Sequence, residues 1–249
     1  MTDWVLGRRA VGEFLAHAPD AARALWVARG SRVPRELLAA AEALALPVRE
    51  LSRHELTARV GSERHQGVAL EVGGWAYADP EELLAGAKRA PLPLVLALDC
   101  VQDPRNLGAV IRVADGAGAA GVLIPKDRAA GLGPAAARAA AGALAAVPVA
   151  RVVNLARALD RFRDEGFWVY GAAAGGEDMY AADLALPAVL VLGGEHAGIR
   201  PNVLRRCDRE IALPMRGKVG SLNVAVAAGI LAYEFLRRAR SGAPTGGGG

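Results

Sequence analysis

The chain has 249 residues, 53% of them hydrophobic and 22% charged, enough for a buried core in one large domain or two of ordinary size. Net charge is +4, and of 30 basic residues all but Lys88, Lys126 and Lys218 are arginine, the type best suited to bidentate phosphate recognition. This balance excludes an intrinsically disordered chain and admits a polyanionic partner, although a GC-rich coding bias toward Ala, Gly and Arg gives the same composition.

The two cysteines, Cys100 and Cys207, cannot build a disulfide framework and have no Cys or His partner at metal spacing. They are expected to be reduced core residues of a cytoplasmic protein that binds no metal. The N-terminus carries no apolar leader, and no apolar run reaches the ~18 residues of a membrane helix, so neither secretion nor membrane insertion is expected.

In chain order, a helix is predicted near Gly7 to His17, a strand over Ala24 to Ala28, and a helix opened by Pro34 and ended by Pro47. Val48 to Leu51 reads as a strand, Ser52 and Glu55 as a capping box on a brief helix, and Gly67 to Val72 as another strand. Residues 1–72 therefore form a small α/β unit dense in arginine. The stretch 73–93, with prolines at Pro80, Pro91 and Pro93 and a weakly amphipathic helix between Pro80 and Lys88, is expected to be a linker.

From Leu94 a larger α/β region runs to about residue 240. Leu94 to Leu98 is an apolar strand of the buried, parallel kind, and further strands are predicted at Gly121 to Ile124, Val147 to Ala150, Phe167 to Ala172, Ala188 to Leu192 and Glu210 to Leu213. Strand and helix alternate, which predicts a covered parallel sheet. Residues 241–249 are a low-complexity glycine tail expected to be disordered.

Gly116-Ala-Gly-Ala-Ala-Gly121 fits a dinucleotide pattern, but a helix precedes it and a strand follows, the reverse of what pyrophosphate binding needs. Helix termination explains these glycines. Three other segments leave strand ends, where open α/β sheets bind ligands. After Asp99, Asn106 is a candidate helix cap, with Arg112 six residues later. After Leu192 come Gly193, Gly194, Glu195 and His196; His196 is expected to be structural or solvent-facing. After Leu213, a loop with Gly217 and Gly220 leads to Ser221, a candidate N-cap, Leu222 and Asn223, and then to a long apolar helix. Together they offer hydrogen-bonding and orienting groups without a nucleophilic cysteine or a close carboxylate pair, a set suited to transferring an activated group rather than to hydrolysis.

Asn106-Leu-Gly-Ala-Val-Ile-Arg112, Leu192-Gly-Gly-Glu195 and Leu213-Pro-Met-Arg-Gly-Lys-Val-Gly-Ser-Leu-Asn-Val224, in this order, resemble the three signature motifs of the SpoU, or TrmH-like, RNA 2′-O-methyltransferases of the SPOUT superfamily. Val5-Leu-Gly-Arg-Arg-Ala-Val-Gly-Glu-Phe-Leu15 and His65-Gln-Gly-Val68 look like the substrate-binding domain of the RlmB-type subgroup. The resemblance implies a catalytic domain over 94–240 with a deep trefoil knot, and an L30e-like RNA-binding domain over 1–72. It implies S-adenosylmethionine held at Gly193, Gly194, Leu213, Met215, Ser221 and Leu222; catalysis by Asn106, Arg112, Glu195, Ser221 and Asn223; and RNA contacts from Arg8, Arg9, Arg64 and His65. It further implies a homodimer with the site completed across its interface, acting on a guanosine ribose in the peptidyl-transferase region of 23S rRNA. The same residues are compatible with 2′-O-methylation of another rRNA or tRNA site, or with a catalytically silent RNA-binding ribosome-assembly protein.

Overall fold

The computed structural model describes residues 3–73, 75–195 and 198–242. His196 and residues 243–249 of the tail lie outside the described residues. The first sheet is built from β1 (Asp3–Leu6), β2 (Ala22–Ala28), β3 (Val48–Leu51) and β4 (Val68–Val72), in the order β1-β4-β2-β3. Only the β2–β3 pair is parallel. Helices α1 (Arg8–His17), α2 (Arg35–Ala43) and α3 (Arg53–Val60) accompany it. The capping box on α3 is present in both directions, from Ser52 to Glu55 and back. β1 is absent from the predicted elements: of its residues Asp-Trp-Val-Leu only Val5 is buried, so no apolar–polar alternation marks it.

The second sheet has six strands, all parallel, in the order β10-β8-β9-β5-β6-β7. Its elements are α4 (Pro80–Arg89), β5 (Leu92–Asp99), α5 (Pro104–Ala117), β6 (Ala119–Pro125), α6 (Pro134–Ala140), β7 (Val149–Val152), α7 (Leu155–Asp164), β8 (Trp168–Asp178), β9 (Ala188–Gly193), α8 (Pro201–Leu204), β10 (Arg209–Ala212) and α9 (Val224–Gly242). β5 as far as Leu98 and the whole of β9 are apolar because both their faces are covered. Leu94, Leu96 and Leu98 point into a core with α5 and α9, while Val95 and Ala97 point into a second core with α4 and α7.

The stretch expected to be a linker does not behave as one. Asp79 caps α4 by accepting from the Glu81 and Glu82 amides at 2.8 and 3.2 Å, and Pro80 occupies the first turn, where a missing N–H costs nothing. Leu83, Leu84 and Ala87 are buried against the large sheet. Trp75 packs edge-on against Phe14 of the first unit. The helix predicted between Pro80 and Lys88 is present as α4, but it packs on the large sheet instead of bridging two units. The two cysteines also differ from expectation: both are free, but each is only half-buried.

α9 is fastened at its C-terminal half by Glu234, which is buried and accepts from Arg237 Nε at 2.8 Å and Arg238 Nε at 2.7 Å. Arg238 in turn donates to the Met179 carbonyl at 2.9 Å. The hydrogen bond from Arg237, followed by that from Arg238, holds the Glu234 carboxyl at about 2, below its ordinary 4.5. A depressed carboxyl stabilises the fold above its unfolded value and loses that contribution as pH falls through the folded one. Glu234→Gln is therefore expected to cost about 1–2 kcal/mol at neutral pH, the exposure of Arg237 reducing the full linkage value. Thermal melts of both proteins should converge between pH 4.5 and about 2; parallel melting curves would show that the charge of Glu234 contributes nothing.

Candidate active site

Strand order reverses at β5, which pairs with β6 on one side and β9 on the other, and the crevice lies beyond the C-terminal ends of these strands. Asp99 ends β5 fully buried and ties down the loop after β9 at both its ends. Its carbonyl accepts the Gly194 N–H at 2.8 Å, and its carboxylate accepts the Arg200 N–H at 2.7 Å and Arg200 Nε at 2.8 Å. Between those anchors the chain turns back on itself, with the Gly198 N–H donating to the Gly194 carbonyl at 2.9 Å.

This loop presents Glu195 to two asparagines. Glu195 Oε1 accepts from Asn106 Nδ2 at 3.0 Å and from Asn223 Nδ2 at 2.9 Å, and Asn223 Nδ2 also reaches Asn106 Oδ1 at 3.0 Å. Residues 117 positions apart are thus locked in one network. Asn223, and not Ser221, is the N-cap of α9: its Oδ1 accepts the Ala225 N–H at 3.0 Å, which fixes the amide so that Nδ2 faces the network. Asn106 is likewise not the cap of α5. Asp103 is, accepting the Arg105 N–H at 2.8 Å, and Asn106 sits three residues inside the helix, free to face Glu195.

Two cavities meet at this network. The first, of about 520 Å³, is lined by all six residues expected to hold a cofactor, Gly193, Gly194, Leu213, Met215, Ser221 and Leu222. Its wall on the β8 side is Ala172 to Gly175, where β8 leaves the β10 ladder between Gly171 and Glu177. The second, of about 480 Å³, is lined by Cys100, Gln102, Asn106, Arg128 and Arg200 among others. Gly194, Glu195 and Val224 belong to both.

Arg112 is not brought to the network. It is exposed and lines neither cavity. Six helical residues beyond Asn106 place it about 9 Å further along α5 and on a different side. His65, expected to contact RNA, is fully buried: its Nε2 lies 2.9 Å from Thr57 Oγ1, and its Nδ1 accepts the Gly67 N–H at 3.0 Å. Burial lowers the pKa of His65, keeping the ring neutral, so it supports the turn rather than facing a phosphate. Arg9 and Arg64 are exposed, and Arg8 is half-buried, its backbone N–H meeting Gln66 Oε1 at 3.4 Å. Among the described residues no group of three or more His, Cys, Asp or Glu side chains is placed to hold a metal, and no helix is long and apolar enough to cross a membrane.

Residues 93–233 match the SpoU rRNA Methylase family, and residues 4–77 match the family described as RNA 2′-O ribose methyltransferase substrate binding. The chain is 41% identical over 246 residues to a Pseudomonas aeruginosa protein named 23S rRNA (guanosine-2′-O-)-methyltransferase RlmB, covering 96% of this chain and 98% of that protein. The corresponding Pseudomonas putida protein is 40% identical over 240 residues, covering 94% and 96%. Among solved structures, the SpoU methyltransferase AviRb from Streptomyces viridochromogenes in complex with the cofactor AdoMet superposes with a TM-score of 0.71 at 25% identity, over 96% of this chain and 91% of that one. The chain belongs to the SpoU rRNA methylase family.

Proposed function

We propose that this protein transfers a methyl group from S-adenosylmethionine to the 2′-hydroxyl of a guanosine in the peptidyl-transferase region of 23S rRNA, in the cytoplasm. The observation that carries the reading is the Asn106–Glu195–Asn223 network standing where two cavities join, one for a methyl donor and one for an acceptor. The donor fits the first cavity. Its lining holds no lysine or arginine, Glu195 is its carboxylate, and its glycines and leucines leave backbone groups and apolar surface for an adenosyl moiety. S-adenosylmethionine supplies an electrophilic methyl group on a cationic sulfur, which a cation-lined cavity would repel.

Asn106 and Asn223 then fix Glu195 Oε1, leaving Oε2 without a partner among the described residues. Oε2 accepts the hydrogen bond of the ribose 2′-hydroxyl, which orients the oxygen lone pair toward the first cavity, and it takes up the hydroxyl proton as the C–O bond forms and the S–C bond of the donor breaks. A charged guanidinium has no lone pair to offer, so Arg112 acts by contacting substrate.

Arg112 reaches the site from a second copy of the chain. On α9, Val226, Ile230 and Tyr233 form an exposed apolar stripe at helical spacing, with Tyr233 resting against Gly116 of α5, one turn beyond Arg112. Such a stripe beside a two-fold axis suits an isologous dimer. Mixing inactive Asn106→Ala and Arg112→Ala proteins should restore about a quarter of wild-type turnover, because half the dimers are mixed and one of their two sites is intact. Absence of any restoration would place both residues in one subunit's site.

The finer fold belongs to the same proposal: a deep trefoil knot in 94–240, in which the segment after β10 passes the loop after β9 to deliver Asn223, and an L30e-like RNA-binding domain over 1–72. Exposed Arg9 and Arg64, and Arg49 and Arg59 stacked 5.1 and 4.0 Å from the Trp26 ring centroid, support phosphate and shape recognition by that domain. A silent RNA binder would have no need of the assembled network. Labelled S-adenosylmethionine offered to unmethylated 23S rRNA, 16S rRNA and tRNA, with products mapped by resistance to alkaline cleavage, tests the reading. A 2′-O-methylguanosine in 23S rRNA is expected; tight RNA binding without transfer would favour the silent binder.

A further inference from the structure

The second cavity contains four charged side chains, Asp103, Glu195, Arg128 and Arg200, and their pairing is uneven. Asp103 is neutralised by Arg105, which meets its Oδ2 at 2.9 Å through Nη2. Glu195 is committed to the asparagine network. Arg200 is held by the fully buried Asp99 through Nε at 2.8 Å and Nη2 at 2.6 Å, which leaves Nη1 without a partner among the described residues. Arg128 has no hydrogen bond or ion pair among the described residues. The asparagines carry no charge, so Glu195 and Arg128 balance in number, but no ion pair joins them among the described residues, and the cavity presents one guanidinium fixed in place and one standing open.

The backbone sets Arg128 there at a cost. Among the described residues five non-glycine positions have positive φ, and two of them, Cys100 at 58° and Arg128 at 57°, line this one cavity. Left-handed backbone at a non-glycine residue persists only where its surroundings impose it, and it concentrates at ligand sites. Here the Lys126 N–H donates to the Val152 carbonyl at 2.7 Å, and the Ala130 N–H to the Val101 carbonyl at 2.8 Å, pinning the chain on both sides of Arg128. Both arginines also act on the Cys100 thiol, opposing the upward shift that burial and Asp99 impose on it, as expected of cations facing a common space.

We propose that the second cavity receives the phosphate on the 3′ side of the methylated ribose, and that Arg128, assisted by the free edge of Arg200, is the residue that clamps it. The proposal rests on the methyl-transfer reading. With the 2′-oxygen at the junction beside Glu195, only the C2′–C3′ bond and one ester oxygen separate it from that phosphate, so the anion has to lie on the acceptor side. Phosphate is favoured over the guanine edge because it lies closer along the bonds to the 2′-oxygen than the N7 and O6 that an arginine reads.

The test uses an rRNA fragment containing the unmethylated acceptor guanosine, prepared in four forms: unmodified, with a single phosphorothioate at its 3′ linkage in each of the two configurations, and with 7-deazaguanosine at the acceptor. Wild type and Arg128→Ala are compared by kcat/KM for methyl transfer, by RNA affinity across a KCl series and by calorimetric cofactor affinity. The expected result is a loss of about tenfold or more in RNA affinity for Arg128→Ala, and a salt slope shallower by about 0.7, with cofactor affinity unchanged. Wild type should distinguish the two phosphorothioates and Arg128→Ala should not, while the 7-deaza penalty is equal in both and Arg128→Lys recovers part of the loss. Retention of the diastereomer preference in Arg128→Ala, unchanged RNA affinity, or disappearance of the 7-deaza penalty would each overturn the phosphate assignment while leaving methyl transfer standing. Absence of transfer by the wild-type protein to any RNA would bring down the reaction and this proposal together.

Discussion

Asn106→Ala is expected to lower kcat for methyl transfer by about 10²–10³-fold, the loss typical of removing one oriented hydrogen-bond donor from a site of developing charge. Cofactor affinity should stay within about twofold, because Asn106 lines the acceptor cavity and is absent from the lining of the donor cavity. Stability should hardly change, since Asp103 and not Asn106 caps α5. What the substitution removes is one of two amides that fix Glu195 Oε1, together with the acceptor for Asn223 Nδ2. Single-turnover kinetics, calorimetry and a thermal melt on the same preparation separate these effects. A collapse of cofactor binding would show instead that Asn106 supports the donor cavity.

Much of this site is legible in the sequence because it follows from strand ends. Apolar runs at Leu94 to Leu98 and Ala188 to Leu192 are long enough to mark fully covered strands, and the segments after them therefore face the crevice. Errors arise where several residues nearby can perform the same local task. Asp103 and Asn106 both precede or open α5 and are both good caps, as are Ser221 and Asn223 before α9; only the backbone decides, and in each case the residue that loses or keeps the cap changes what its side chain is free to do. His65 looks solvent-facing beside Arg64, yet a turn closed by Gly67 folds it inward onto Thr57. Arg112 shares a motif with Asn106 but not a helix face, which spacing alone shows once the helix register is known.

The second cavity was the least legible part. Arg128 follows β6, so the strand-end rule does point to Pro125 to Arg128 as crevice-facing. What sequence lacks is its conformation: a left-handed arginine held between two backbone hydrogen bonds resembles any polar loop residue until φ is known. Asp99 is hidden for a related reason. A carboxylate ending an apolar strand reads as a boundary, and its role as the anchor of both ends of the loop after β9 depends on partners about a hundred residues away.

Gly193→Ala should weaken cofactor binding at least tenfold and, with it, methyl transfer. A Cβ at Gly193 would lie 2.1 Å from the Gly198 carbonyl carbon and 2.4 Å from the Ile199 nitrogen. Both neighbours are backbone and cannot rotate aside. They are held by the turn from Gly194 to Gly198 and by Arg200 on Asp99, so relief requires the whole loop to move off the strand end. Gly193, Gly194, Glu195 and Ile199 all line the donor cavity, and Glu195 carries the asparagine network, so one displacement spoils both cofactor and acceptor geometry. The overpacking itself should cost about 1–3 kcal/mol of stability, and the protein should remain folded at moderate temperature. Calorimetric titration with S-adenosylmethionine should accordingly show at least a tenfold weaker complex at a temperature where circular dichroism is native. Gly217→Ala is the matched control: its added Cβ meets nothing within 4 Å, so it should bind and melt as wild type does. Equal cofactor affinity in Gly193→Ala and wild type would mean that the loop after β9 gives way without disturbing the cavity, and the strut from Asp99 would then have no part in holding the site.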